Sequence, residues 1–215
     1  MATTIAPTQN TMDTDTRFWD QIAEKYSKQP IRDQETYEKK LALTWEHVPA
    51  NARVLEFGCG TGSTALLHAG KFAEVLATDI SPGMIEIAEK KLAETDLTNL
   101  SFATGTVFDI EESESFDAVL GLNILHLMDD WKEGIEKAYA LLKPGGLFIT
   151  STPMLNQWWL KLAIPVMRFF GKAPTVIFID QADYESTLAA AGFEEVARLD
   201  PPKGFGSLFT VMLKP

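Results

Sequence analysis

The chain has 215 residues, 46% hydrophobic and 23% charged, which predicts a soluble domain with a full apolar core and excludes disordered, collagen-like and coiled-coil classes. Its 30 acidic and 19 basic residues give a net charge of −11, which disfavours nucleic acid and anionic membrane surfaces as partners. A single cysteine, Cys59, excludes an intrachain disulfide and a cysteine-cluster metal site, so no metal is expected and the cytoplasm is the expected location.

The amino-terminal segment differs in composition from the remainder. Residues 1–16 contain six threonines and no aromatic side chain, which predicts a flexible tail before a single domain at 17–215. No basic residue or apolar block precedes Arg17, so no export signal is expected. The longest uncharged stretch, 144–160, contains prolines and glycines that argue against a membrane-spanning helix.

From Asn51 onward, strand-like and helix-like patterns alternate, which predicts a parallel sheet covered by helices on both faces. Each predicted strand is a short apolar run typical of strands buried on two sides. These runs are Arg53–Glu56, Glu74–Asp79, Leu100–Thr104, Ser115–Leu120 and Gly146–Ser151.

Three helices are predicted from their start and stop signals. Ser81 caps the first, the second follows Asp130, and the third begins at Asp180. The second ends at the Lys143–Gly146 segment, whose proline and glycines predict a turn before the next strand.

The carboxyl-terminal region predicts a hairpin and an insertion. Phe193–Leu199 and Ser207–Leu213 are strand-like and are joined by a turn at Pro201–Gly204, so they should pair antiparallel. Residues 154–176 break the alternation with tryptophans, phenylalanines and two prolines. We interpret this segment as an insertion between the fifth strand and the hairpin.

A glycine-rich loop follows the first strand. Val54–Phe57 leads directly into Gly58, Gly60 and Gly62, and a helix begins at Ser63. Glycine lets a ligand approach the backbone closely, and the helix N-terminus favours an anionic group. A nicotinamide dinucleotide motif, Gly-x-Gly-x-x-Gly, would require glycine where Ser63 stands.

Two carboxylates refine the predicted ligand. Glu56 precedes the first glycine, where it would repel a pyrophosphate and attract an ammonium group. Asp79 ends the second strand, where it either accepts hydrogen bonds from both hydroxyls of a ribose or caps the helix that Ser81 begins. An amino-acid zwitterion joined to a nucleoside satisfies both carboxylates, and S-adenosylmethionine is such a molecule.

Four segments follow one another at characteristic spacings: Val54–Gly62, Thr78–Ser81, Ser115–Val119 and Leu141–Gly146. Together they resemble the successive motifs of class I S-adenosylmethionine-dependent methyltransferases, and the resemblance spans residues 17–215. It implies a doubly wound, Rossmann-like α/β fold with a seven-stranded sheet of order 3-2-1-4-5-7-6, in which strand 7 is antiparallel. It also implies a methyltransferase that uses S-adenosylmethionine and releases S-adenosylhomocysteine.

The resemblance assigns cofactor-binding roles by position. Gly58, Cys59 and Gly60 would contact the methionine moiety, with Glu56 near its ammonium group and Asp79 on the ribose. The further residues expected to bind the cofactor are Tyr26, Ile80, Met84, Thr106, Val107 and Asn123. Cys59 is expected to be a small loop residue rather than a nucleophile.

Four of these further residues are assigned for specific reasons. Ile80 and Met84 would flank the adenine, and Tyr26 would reach the cofactor from a cap helix over Phe18–Ser27. Thr106 stands where many family members carry an aspartate that reads the adenine amino group. Thr106 itself, Asp109 or a backbone carbonyl is expected to serve here instead.

The residues expected near the methyl acceptor are Tyr26, His126, Met154, Trp158 and Trp159. His126 follows the fourth strand, where it would either act as a general base or hold a loop. The tryptophans of the 154–176 insertion, with Phe169 and Phe170, would either pack on the sheet or form an apolar lid over the acceptor.

We therefore expect methyl transfer to a small, partly apolar or aromatic acceptor by a monomer or homodimer without nucleic acid or stable membrane insertion. The fourth strand ends in Asn123 without the Asn/Asp-Pro-Pro-Tyr signature of enzymes that methylate amides or exocyclic base amines. An NAD-dependent oxidoreductase and a non-catalytic S-adenosylmethionine-binding sensor are the alternatives.

Overall fold

A computed structural model describes residues 9–155, 158–201 and 206–215, with side chains from Thr14 onward except that of Trp158. The described strands are β1 (Arg53–Phe57), β2 (Glu74–Asp79), β3 (Leu100–Thr104), β4 (Phe116–Leu122), β5 (Leu142–Pro153), β6 (Glu194–Leu199) and β7 (Ser207–Leu213). They form one sheet of order β3-β2-β1-β4-β5-β7-β6, in which β7 is antiparallel to both of its neighbours. The predicted fold is confirmed.

The helices are α1 (Gln9–Ser27), α2 (Gln34–His47), α3 (Ser63–Ala69), α4 (Pro82–Ala93), α5 (Trp131–Leu141), α6 (Trp158–Phe169) and α7 (Gln181–Ala190). Helices α4, α5 and α7 begin where the sequence predicts them, with Ser81 and Asp180 as side-chain caps of α4 and α7. Helix α6 lies within the predicted insertion. Among the described residues, none of the helices combines the length and apolar character needed to cross a bilayer.

The amino-terminal helix corrects one prediction. Residues 9–16 belong to α1, although their composition predicts a flexible tail, and residues 1–8 lie outside the described residues. The Asp15 carboxylate accepts a hydrogen bond from the Thr175 N–H at 2.9 Å. This contact with a distant loop stabilises a segment whose threonines have weak intrinsic helix propensity.

Strand β5 is longer than predicted at both ends. Leu142 pairs with Phe116, and after an irregularity Leu147 pairs with Ala118, so the predicted turn at Lys143–Gly146 is a bulge within the strand. The Gly145 N–H donates to the Lys214 carbonyl at 2.7 Å. The neighbouring carboxyl-terminal strand therefore supplies the pairing that keeps this segment in the sheet.

Two apolar clusters enclose the sheet. Leu55 and Phe148 belong to one cluster, whereas Val54 and Ile149, their neighbours in sequence, belong to the other. Because successive strand residues point to opposite faces, the clusters lie on the two sides of the sheet. The first includes buried residues of α5 and α7, and the second includes those of α3 and α4. Both faces of β1 are therefore buried, which holds the loop after it in place.

Candidate active site

A cavity of about 900 Å³ lies at the carboxyl ends of the central strands, and helices α1 and α2 contribute to its wall. The strand order reverses between β1 and β4, the point at which open α/β sheets bind ligands. The structure brings every residue expected to bind the cofactor to this one cavity. They are Tyr26, Glu56, Gly58, Cys59, Gly60, Asp79, Ile80, Met84, Thr106, Val107 and Asn123.

The three loop glycines have positive φ angles of 69° at Gly58, 55° at Gly60 and 72° at Gly62, which disfavour other residues. A Cβ atom on Gly58 would lie 2.5 Å from Ile124, and one on Gly62 would lie 2.6 Å from the Phe102 ring. A Cβ atom on Gly60 would meet only the Tyr26 ring, at 3.6 Å. Packing therefore requires glycine at positions 58 and 62, whereas the space beside Gly60 leaves room for a ligand.

The carboxylate of Glu56 is buried at the cavity wall, and the Nδ1–H of His68 donates to it at 3.0 Å. His68 is fully buried, and its Nε2 has no hydrogen-bond partner in the part of the chain that the structure describes. The sequence analysis did not select His68. Its position on α3, immediately after the glycine loop, is the only signal that could have indicated it.

The Asp79 carboxylate joins the glycine loop to the start of α4. One oxygen accepts from the Gly60 N–H at 2.8 Å and the other from the Ser81 N–H at 3.0 Å. Burial raises the pKa of the Asp79 carboxyl, and these two hydrogen bonds oppose the shift. The helix cap itself is Ser81, whose hydroxyl accepts from the Met84 N–H.

We expect Asp79→Ala to weaken S-adenosylhomocysteine binding by about 1.5–3 kcal/mol, the range for hydrogen bonds to a charged group. Titration calorimetry measures this change, and thermal melting with and without ligand establishes that the variant is folded. Asp96→Ala is the matched control, because Asp96 is an exposed loop carboxylate that does not line the cavity. A folded Asp79→Ala variant with the wild-type dissociation constant would contradict the ribose assignment.

The loop after β3 is closed by a capping box. Thr106 donates to one oxygen of Asp109 from both its N–H, at 2.7 Å, and its hydroxyl, at 2.8 Å. These hydrogen bonds lower the pKa of the Asp109 carboxyl. Asp109 thus supports the loop, while Thr106, Val107 and Phe108 line the cavity.

Helix α1 is attached to the site through Asp20. One oxygen of this carboxylate accepts from the Ser81 hydroxyl at 2.5 Å and from the Gly83 N–H at 2.9 Å. The same helix places Tyr26 beside Gly60. The cap helix predicted from the resemblance is therefore bound to the start of α4.

A polar cluster made of Lys40, Asn123, Ser151 and Ser207 also lines the cavity. The Lys40 ammonium donates to the Ser151 hydroxyl at 2.9 Å, and the Asn123 side-chain oxygen accepts from both serine hydroxyls. Burial lowers the pKa of Lys40, and no ion pair is found for it within the described residues. The sequence analysis did not select Lys40, because helix α2 carries no recognisable motif.

His126 lies in a 3-10 turn (Leu125–Leu127) at the cavity wall, and its carbonyl accepts from the Ile177 N–H at 2.7 Å. Its Nδ1 is buried without a hydrogen-bond partner among the residues described here. Burial lowers the pKa of His126 to about 4, so the imidazole is neutral at pH 7. A neutral imidazole can accept a proton.

The insertion contributes less to the cavity than predicted. Met154 lines it, but Trp159 does not; Trp159 is partly exposed on α6, on the same face as Leu162 and Val166. Helical periodicity turns this face outward, which the sequence alone did not reveal. The side chain of Trp158 lies outside the described residues.

Comparisons with known proteins find methyltransferases. A family model described as "Methyltransferase domain" matches residues 55–148. Demethylmenaquinone methyltransferase of Clavibacter sepedonicus is 33% identical over 178 residues, which cover 74% of this chain and 72% of the relative. Ubiquinone biosynthesis O-methyltransferase of Xanthomonas axonopodis pv. citri is 35% identical over 121 residues, 55% of this chain and 49% of that protein, so the match spans about half of its length.

Among solved structures, the cyclase SpnF superimposes with a TM-score of 0.78 at 17% identity, covering 98% of this chain and 97% of SpnF. At that identity the likeness shows the fold alone.

Proposed function

The chain belongs to the class I S-adenosylmethionine-dependent methyltransferases, and from this premise we propose that its acceptor is a small molecule with an apolar or aromatic body and a hydroxyl nucleophile. The observation that carries the acceptor proposal is that the Lys40 cluster and a neutral His126 line the same cavity. A cation favours an oxygen nucleophile as it loses its proton, and a neutral imidazole accepts that proton.

The residues at the glycine loop fit S-adenosylmethionine. The open space over Gly60 accommodates the methionine moiety, the Glu56 carboxylate attracts its ammonium group, and Asp79 keeps lone pairs for the ribose hydroxyls. A dinucleotide fits less well, because the buried Glu56 carboxylate would face a pyrophosphate. When bound, S-adenosylmethionine supplies an electrophilic methyl group on a sulfonium.

The protein's own contribution is positioning and proton transfer. We propose that Lys40 orients the acceptor oxygen and that His126 removes its proton as the new bond forms. Positioning of the two reactants in the cavity contributes on the order of 7–11 kcal/mol to lowering such a barrier.

The cavity also favours an apolar acceptor body. Leu122, Met154 and Val176 line it beside the polar cluster. The names of the two relatives, demethylmenaquinone methyltransferase and ubiquinone biosynthesis O-methyltransferase, favour a quinone-type ring, and the second name favours oxygen as the methylated atom.

Calorimetry followed by a transfer assay tests this function. We expect binding of S-adenosylmethionine and S-adenosylhomocysteine without NAD, and transfer of labelled methyl to hydroxylated aromatic rings but not to their deoxy analogues. Transfer only to thiols or amines would refute the acceptor proposal. Binding without transfer to any member of a broad acceptor panel would favour a sensor.

Lys40→Met should reduce kcat/KM for a hydroxylated acceptor by roughly 10–100-fold, because it removes a charge-assisted hydrogen bond at the acceptor. Steady-state kinetics with a panel acceptor measures this, and the affinity for S-adenosylhomocysteine should be retained. Lys39→Met is the control, since Lys39 is exposed and pairs with Glu35 on the same helix. If the two variants had equal values of kcat/KM, Lys40 would not act on the acceptor.

A further inference from the structure

Helix α6 and the residue after it carry an exposed apolar surface. Six of the eleven exposed large hydrophobic side chains among the described residues lie here, namely Trp159, Leu162, Val166, Met167, Phe169 and Phe170. Phe169 is 85% exposed and Phe170 is 66% exposed. Single exposed apolar residues are normal in soluble proteins, but a contiguous group of them marks an interaction surface.

The apolar side chains are arranged as a stripe. Trp159, Leu162, Val166 and Phe169 follow one another at intervals of three or four residues, so they share one face of α6. The sheet and the other described helices leave this stripe exposed. Burying the stripe therefore requires a surface other than the residues that the structure describes.

The charge around the stripe is opposite to that of the whole protein. Residues 154–179 contain Lys161, Arg168 and Lys172 and no acidic residue, although the chain has 30 acidic and 19 basic residues. A helix with aromatic and aliphatic side chains on one face and basic residues beside it is typical of helices that lie in the membrane interface. We propose that α6 docks the protein on the surface of a bilayer that contains anionic lipids.

The same charges argue against a second copy of this chain as the occupant. A two-fold contact through the stripe would bring the basic groups of one copy towards those of the other. Such like-charge contacts are unfavourable, whereas anionic headgroups neutralise all three basic residues. Because anionic lipids repel the acidic surface of the rest of the protein, the protein would lie with α6 towards the membrane.

In the chain, the docking helix is flanked on both sides by residues of the active-site cavity. Met154 and Leu155 precede α6 and Pro174 and Val176 follow it, and all four line the cavity. An apolar acceptor dissolved in the bilayer would therefore reach the cavity from the docked side. This route to the acceptor rests on the proposed function, but docking itself does not depend on it.

Vesicle flotation with the full chain tests the proposal. We expect the protein to float with vesicles of phosphatidylcholine and phosphatidylglycerol, more strongly at low salt than at high salt. Phe169→Ser/Phe170→Ser should lower the partition coefficient by more than about tenfold, because two aromatic rings no longer leave water. Lys161→Gln/Lys172→Gln should lower it about fivefold for each lysine at low salt.

Matched variants separate docking from general surface effects. Val196→Ser removes an exposed apolar residue elsewhere, and Lys39→Gln/Lys90→Gln removes two exposed lysines elsewhere. Both should float like the wild type. Equal flotation of the phenylalanine variant, or no flotation of the wild type, would overturn the proposal.

Light scattering of the lipid-free protein measures its oligomeric state and so tests whether a second copy covers the stripe. A dimer that the phenylalanine variant dissociates would assign the stripe to a second copy instead of a bilayer. Calorimetry with S-adenosylhomocysteine is independent of lipid, so loss of docking and loss of cofactor binding are distinguishable.

Discussion

Replacing His126 with asparagine should lower kcat for a hydroxylated acceptor by roughly 10²–10⁴-fold, the contribution of a positioned general base. The affinity for S-adenosylhomocysteine should stay unchanged, because the expected cofactor contacts lie on other residues. Since burial lowers the pKa of His126 to about 4, the wild-type imidazole should remain neutral, and so able to accept a proton, well below pH 6.5.

His47→Asn is the matched control for this prediction. His47 donates to the Leu43 carbonyl within α2 and does not line the cavity. Acceptors that need no deprotonation, such as free amines, should be methylated equally by both variants. A His126→Asn enzyme that turns over a phenol at the wild-type rate would leave His126 as a loop residue.

Stability against pH gives a second measurement for His126 that does not require an acceptor. Its pKa is about 4 in the folded protein against 6.5 for an ordinary histidine, so protonation favours the unfolded chain. This contribution to stability is fully present above pH 6.5. It is lost progressively as the pH falls from 6.5 through 4, and the total loss in the free energy of unfolding is about 3 kcal/mol. Urea unfolding of His126→Asn should lack this part of the pH dependence.

Alanine at Gly62 and at Gly60 should have different consequences, although both glycines have positive φ angles. Gly62→Ala combines backbone strain with overlap against Phe102, and we expect a loss of about 2–5 kcal/mol in the free energy of unfolding. Gly60→Ala should lose only about 1–2 kcal/mol from strain. Its methyl group, however, would occupy the space assigned to the cofactor.

Urea unfolding and calorimetry separate the two effects. Gly145→Ala is the control for strain alone, because Gly145 has a φ of 80° and no atom within 4 Å of an added Cβ. We expect Gly60→Ala to match the control in stability but to bind S-adenosylhomocysteine at least about tenfold more weakly, equivalent to about 1.4 kcal/mol. Wild-type affinity in Gly60→Ala would mean that the cofactor does not pass over this glycine.

Much of the fold was predictable because its signals are local. Short apolar runs marked the strands, and Ser81 and Asp180 marked helix starts by their own hydrogen bonding. The ends of β5 were not predictable, since its first residues are held in the sheet by the chain terminus near Lys214. Residues 9–16 are likewise helical against the prediction from composition, and Asp15 among them contacts Thr175, 160 positions away.

The net charge of the whole chain did not predict the charge of the surface around α6. The net charge of −11 disfavours an anionic membrane, yet the segment around α6 is basic and apolar. Screening limits the reach of surface charges to about 10 Å, so a local patch can act against the sign of the whole protein.

The sequence by itself determined the extent of most strands, the glycine loop and the class of cofactor, because their signals lie in short continuous segments, whereas the order of the strands came from the resemblance to the methyltransferase family. Tertiary structure alone decided that His68 supports Glu56 and that Lys40 meets Ser151 across 111 positions, and it turned the stripe of α6 towards solvent. Side-chain partners of this kind are selected by how helices pack on the sheet, and that packing balances burial over the entire core.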